Sequence, residues 1–264
     1  MISLQFGRVW AITLRYLHQS VRDLLAIADF ICWPLIDIVI WGLMSVWVER
    51  SGHAVPHVVI MVVSGLVLWQ IVYQANMDIT NNLLDEFWSH NLVNIFSSPL
   101  TINEWISAVM LLGALKMIFI VLFGTITAWL LYAFNVFALG WALIPFALSL
   151  LLTGWCLGFF TGALIMYAGM RVHWATWIVG ALISPFISIY YPVTTLPGWA
   201  QKIAYALPPP FVFEGMRKII LEHTIPFDYL GISIILNLFY LFLSIQFFKY
   251  MFEKSRNRGL ARIE

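Results

Sequence analysis

Charge is what this chain has least of. Of its 264 residues only 10% are Asp, Glu, Lys or Arg, where a soluble domain carries about a quarter. The acids and bases nearly cancel, leaving a formal charge of +1 with no basic stripe, so nucleic acid is not an expected partner. Cysteine is scarce as well. Cys32 and Cys156 both fall in apolar runs, which excludes a disulfide framework and suggests two buried thiols. No glycine is followed by lysine, so a phosphate-binding loop of the GxxxxGK type is missing, and any ATP hydrolysis must come from another polypeptide. HExxH, GxSxG and paired-cysteine clusters are also missing, which disfavours a membrane enzyme. His53, His57, His173 and His223 are separated by other elements and suit interfacial positions better than a metal site. The first 23 residues hold Arg8, Arg15 and Arg22 but no continuous apolar run, so no cleavable leader is expected.

What the chain has in excess is apolar surface. Hydrophobic residues make up 62% of it and the mean hydropathy is +0.89, so the bilayer is its solvent. A crossing takes roughly 20 mostly apolar residues. Six segments qualify, at 24–48, 58–79, 103–133, 140–168, 174–191 and 228–250. Pro34, Pro145 and Pro185 lie inside spans, where packed neighbours can satisfy the freed carbonyls. With a cytoplasmic N-terminus, nine Lys and Arg fall inside and four outside, Lys116 remaining within a span; both termini are then cytoplasmic. The fold class is thus all-α integral membrane, a single transmembrane domain over 1–264 with a basic cytoplasmic tail at 251–264.

Residues 1–23 form an amphipathic interfacial helix. Phe6, Trp10, Leu14, Leu17, Val21 and Leu24 recur at spacings of three and four, and the three arginines recur every seven on another face. Such a helix either anchors the topology or docks its polar face on a partner. A second amphipathic segment, 85–98, lies between the second and third spans. Trp88, Leu92, Ile95 and Phe96 share one helical face; Asp85, Ser89, His90, Asn91, Asn94 and Ser97 take most of the rest. Its acids open the helix, where the dipole favours them. Ser98-Pro99 stops it, and Thr101 to Glu104 fits a capping box for the next span. A plain turn would need only a few residues.

Before the last span, residues 192–226 are too long and too patterned for a simple connection. Thr195 can cap a helix starting near Pro197, with Trp199, Ile203 and Leu207 along its apolar edge. The prolines at 208–210 end it, and a second piece carries Phe213, Met216 and Ile220 against Glu214, Arg217 and Lys218. This reads as a re-entrant hairpin on the outer face, either a surface cap or part of an exit.

Taken together, the six spans, the N-terminal helix, the acidic segment ending in "SSPLTINEW" and the "LPGW" hairpin resemble the type-2 ABC exporter permeases. Glu86, Ser98, Pro99, Leu100 and Glu104 match that family's marks; the middle of the segment, "FWSHNLVNIFSS", departs in lacking the small-residue and Arg content often seen before the Pro. The resemblance implies that 85–98 is a coupling helix seated in a separate cytoplasmic ATPase, with Asp85, Glu86, Trp88, Ser89, His90, Leu92 and Pro99 at the contact. It implies that Trp199, Phe213 and Arg217 border the exit. The chain would then work as a homodimer with two ATPase copies in the bacterial inner membrane. ATP and Mg would sit on the ATPase and no cofactor on this chain. The cargo would be an amphipathic molecule, a lipid-linked glycan or lipid ahead of a hydrophobic drug.

Charges within the spans support a rival, an ion-coupled secondary transporter using Asp29, Asp37, Asp78 and Lys116. The internal repeat common in that class is missing. Asp37 lies 13 residues after Leu24, and Lys116 lies 13 after Asn103. Both are therefore roughly 20 Å into the membrane at ~1.5 Å per residue. Equal depth and opposite sign predict that they pair, as a structural bridge or in the substrate path. Gly154, Gly158 and Gly162 form a small-residue stripe, read as packing within the protomer in preference to a dimer contact.

Overall fold

A computed structural model describes residues 5–51, 58–133, 140–222 and 224–258, omitting the side chain of Leu25. Every regular element among them is helical. In chain order these are α1 (Phe6–Arg22), α2 (Leu24–Arg50), α3 (Val58–Trp88), α4 (Leu92–Ser97), α5 (Ile102–Tyr132), α6 (Leu143–Ala168), α7 (Ala175–Ile183), α8 (Gly198–Ala206), α9 (Pro208–Glu222) and α10 (Phe227–Arg258).

Five helices, α2, α3, α5, α6 and α10, are long and apolar enough to cross a membrane. The expected fifth span, 174–191, is not a full-length helix. α7 and a 3-10 turn over Ser184–Phe186 make one short apolar segment, Ala175–Phe186, followed by irregular backbone in which Ser188 has φ 65°. Pro185 falls in that 3-10 turn and helps end the helix, and Pro145 falls in the first turn of α6, where its missing N–H costs nothing. Only Pro34 is truly internal to a long helix.

The centre of the molecule is α3 against α6. Of their most apolar windows 67% and 61% is buried, against 22% for α2 and 28% for α10, which turn their outer faces away from the protein. Contact between α3 and α6 is close because of the glycine stripe. A Cβ at Gly154 would lie 2.6 Å from the Ala75 Cβ and 2.8 Å from the Val72 carbonyl; one at Gly158 would lie 2.7 Å from Ile79 Cδ1. Gly162 sits between Phe248 of α10 and Leu83 of α3. All three glycines thus face helices of their own chain.

On its other side α6 meets α10 through a buried polar ladder. Thr153 donates to Asn237 Oδ1 at 2.8 Å, Asn237 Nδ2 donates to the Ser149 carbonyl at 2.9 Å, Ser149 and Ser233 hydroxyls lie 2.7 Å apart, and Ser233 donates to the Pro208 carbonyl at 3.0 Å. Each side chain of this ladder has a partner in its apolar setting. The sequence pattern gave no sign of the ladder, since each member stands alone among apolar neighbours.

Cys156 is buried but Cys32 is exposed on α2, so only one of the two thiols is in the core. α10 runs unbroken through Arg258, making the first part of the expected tail, 251–258, helical; 259–264 lies outside the described residues, as do His53, His57 and His223.

Candidate functional site

The segment expected to be one helix, 85–98, is two pieces. Asp85–Trp88 is the last turn of α3, the chain reverses at Ser89–Asn91 with His90 at φ 49°, and only Leu92–Ser97 forms the separate α4. The acids therefore lie at the negative end of a helix dipole, not the positive end. Partners offset this. Glu86 is 2% exposed, ion-paired to Arg15 at 2.7 Å, and accepts from Asn91 Nδ2 at 2.8 Å; Asp85 accepts from Gln19 at 2.9 Å. Downstream, Thr101 and Glu104 form the full capping box that starts α5.

Most of these partners come from α1. The flank between its arginine and aromatic faces meets the protein: Val9, Thr13 and Tyr16 are buried, and Phe6, Trp10 and Val21 are exposed. Thr13 donates to the Ala108 carbonyl at 3.2 Å. Trp105 Nε1 donates to the Tyr16 hydroxyl at 2.9 Å. Burial, with the Glu86 charge second, raises the Tyr16 pKa and keeps the phenol protonated. Arg8 donates to the Pro99 carbonyl at 2.6 Å and lies 3.7 Å from Glu104, whose Oε1 also accepts the Gln5 N–H at 3.1 Å. Arg8 and Arg15 thus tie α1 to the α5 start and the α3 end, and the aromatic face is left for the membrane interface.

This fixes which of the expected contact residues a partner can reach. Glu86 and Leu92 are buried and hold the turn together. Trp88, at 58% exposure, Ser89, His90 and Pro99 form an exposed surface, and Asp85 is half-buried beside it. Behind the surface, Leu92 and Ile95 enter the core, and Phe96 packs edge-on against Phe252 of α10 at 4.5 Å.

The membrane charges pair differently from the depth argument. Lys116 Nζ lies 2.6 Å from Asp78 Oδ1 and 3.0 Å from the Ser20 hydroxyl. Asp37 instead accepts from Gln70 Nε2 at 3.0 Å. Depth alone does not fix direction: α3 also packs on α5 and brings Asp78 to the lysine, whereas Asp37 turns toward Gln70.

At the hairpin, the prolines at 208–210 begin α9 and do not merely end α8; they occupy its first turn, where Pro is preorganised. Thr195 does not cap α8. Its hydroxyl bonds the Pro192 carbonyl, and Pro197 holds the cap position. Trp199 is 64% exposed, but Phe213 is fully buried and Arg217 is 7% exposed, so neither borders a path in this conformation. Arg217 is a staple. Its guanidinium donates to the Ser188 hydroxyl at 3.0 Å, to Glu214 at 3.1 Å, and to the carbonyls of Ser188, Ile189 at 3.2 Å and Tyr191 at 3.0 Å. Irregular backbone inside an apolar fold leaves carbonyls that need donors, and Arg supplies five. Glu214 completes the knot by accepting the Val193 N–H at 2.7 Å.

Between α1, the start of α2, α3, α5 and α7 lies a cavity of about 420 Å³. Asp23, Asp29, Asp78, Asp85 and Lys116 line it, among walls that include Phe30, Trp33, Tyr73, Phe119 and Trp177. The size falls in the range of small-molecule sites. No protein-family model matches the chain, and no curated protein matches it significantly.

Proposed function

We propose that this chain is the permease subunit of an ATP-driven type-2 ABC exporter, without catalytic activity of its own. It works as a homodimer with two copies of a cytoplasmic ATPase that holds ATP and Mg. It lies in the bacterial inner membrane with both termini cytoplasmic, α7 and the following segment completing a sixth crossing. The cargo is amphipathic, in the class of lipid-linked glycans, lipids or hydrophobic drugs. The observation that carries this reading is the exposed α3–α4 turn, which is tied to two other helices, to α1 through Arg15–Glu86 and to α10 through Phe96–Phe252, and is followed after Pro99 by the capped start of α5. In this reading, force applied at Trp88, Ser89 and His90 passes to α1 and α10 through these contacts. Outside the turn, the Trp199 face of the hairpin is left to meet the outer leaflet.

Isolation of the chain with its native partners tests this directly. A nucleotide-binding protein should accompany it, and cysteines placed at Ser89 or His90 should crosslink to that protein. Labelling of those positions only from the outside of intact cells would overturn both topology and role. The ion-coupled alternative draws on the buried Asp78–Lys116 pair; accumulation driven by an ion gradient in vesicles without nucleotide would favour it.

A further inference from the structure

We infer that the cavity beside Lys116 binds a hydrophobic organic ammonium ion, an apolar aromatic or alkyl body carrying one protonated amine. Charge comes first. Four aspartates and one lysine line the space, for a formal charge of minus three, so an apolar anion is repelled. Hydrogen bonding comes second. Asp78 is 4% exposed; its Oδ1 is satisfied by Lys116 at 2.6 Å and Gln74 at 3.3 Å, but its Oδ2 is buried with no partner among the described residues. A buried carboxylate oxygen without a donor is costly, and a small rotation of the Asp78 side chain, which lines the cavity, brings this oxygen to a ligand N–H. The walls come third. Aromatic faces such as Trp33 and Trp177 attract a cation and shelter an apolar body, whereas a hydrated inorganic ion needs several oxygen ligands that apolar walls do not provide. A neutral apolar molecule fills the space but leaves Asp78 Oδ2 unpaired. That such an ammonium ion is the exported cargo rests on the exporter reading; that it binds here does not.

The test uses the full chain in lipid nanodiscs and three probes sharing one body: 1-naphthylmethylammonium, 1-naphthylmethanol and 1-naphthoate. Binding is read by tryptophan quenching against empty discs. The ammonium should bind saturably, the alcohol about tenfold more weakly, and the carboxylate not at all. Asp29→Asn, at an exposed position on the lining, should weaken the ammonium severalfold and leave the alcohol unchanged. Because Asp78→Asn alone strands Lys116, the double variant Asp78→Asn/Lys116→Met is used for the buried position, and it too should lose ammonium selectivity. Absence of saturable binding, equal binding of ammonium and alcohol, or unchanged ammonium affinity in both variants overturns the assignment. Cation binding by a chain that recruits no ATPase sinks the exporter reading alone, and an ATPase partner without cation binding sinks this site alone.

Discussion

Neutralising Asp78 should damage this protein more than neutralising Asp37, although both are aspartates in apolar helices. Asp78 is 4% exposed and bonded to the ammonium of a lysine whose side chain is 12% exposed. Removing one member of a buried pair strands the other charge, at about 3–5 kcal/mol. Replacing both by neutral residues of similar size is nearly neutral in favourable cases. Asp78→Asn and Lys116→Met should therefore each lower stability by about 3–5 kcal/mol, and the double variant by less than either, a positive coupling of several kcal/mol. Asp37→Asn should cost about 1 kcal/mol, the net value of one hydrogen bond from Gln70, and should add to Lys116→Met without coupling. The assay is thermal unfolding in detergent, with size-exclusion recovery as a second readout. Additive losses for Asp78 and Lys116, or strong coupling between Asp37 and Lys116, would refute the pairing and restore the depth argument.

Three further expectations follow from packing. Gly154→Ala should cost about 1–3 kcal/mol by overpacking against the α3 backbone, whereas Gly162→Ala meets only side chains, Phe248 at 3.3 Å and Leu83 at 3.6 Å, and should be milder; melting temperatures rank the two, and equal effects would contradict the close α3–α6 approach. Arg217→Lys should fail to rescue the stability lost in Arg217→Met, because an ammonium cannot reach the several acceptors that the planar guanidinium spans; full rescue would mean that charge alone matters there. Phe213→Ala should lose about 3–5 kcal/mol as a core truncation, and Trp199→Ala should stay within about 0.5 kcal/mol, so that only a Trp199→Ala export defect at normal expression speaks for a role in the exit.

The parts of the fold legible in the sequence were those carried by long periodic signals. Both ends of α5 follow from a capping box and a run of apolar residues, and the structure has them at Ile102 and Tyr132. The first turn of α2 and the end of α6 fall where composition changes. What was not legible depends on neighbours. Residues 174–191 are apolar enough for a span, but hydropathy does not register that Pro185 and the Ser188 conformation break the helix, nor that Arg217, far along the chain, makes the break tolerable. The α1 pattern predicts an arginine face and an aromatic face and leaves open which one meets protein, whereas the structure buries the flank between them, Val9, Thr13 and Tyr16. The contacts that seat it, from Arg8, Arg15 and Tyr16, became visible only with Glu86, Trp105 and Glu104 in place.

The Lys116 pairing shows why a depth argument needs an angle to complete it. Rise along a helix gives the position of a side chain across the membrane, and on that coordinate Asp37 was as good a partner as any. Azimuth is set by packing, through contacts that hydropathy does not register. The glycine stripe on α6 seats α3 close on one side, α5 packs on another side of α3, and Asp78 is thereby turned toward Lys116. The same rotation places Gln70, two helical turns earlier on α3, against Asp37. Both membrane-embedded carboxylates are thus partnered by one register of α3. A variant that rotates α3, such as a bulky residue at Gly158, should disturb the Asp37 and Asp78 sites together, whereas a purely local defect would affect one and spare the other. Infrared carboxylate bands of the two aspartates, assigned by single Asn substitutions, distinguish these outcomes, and independent responses would mean that α3 does not move as one body.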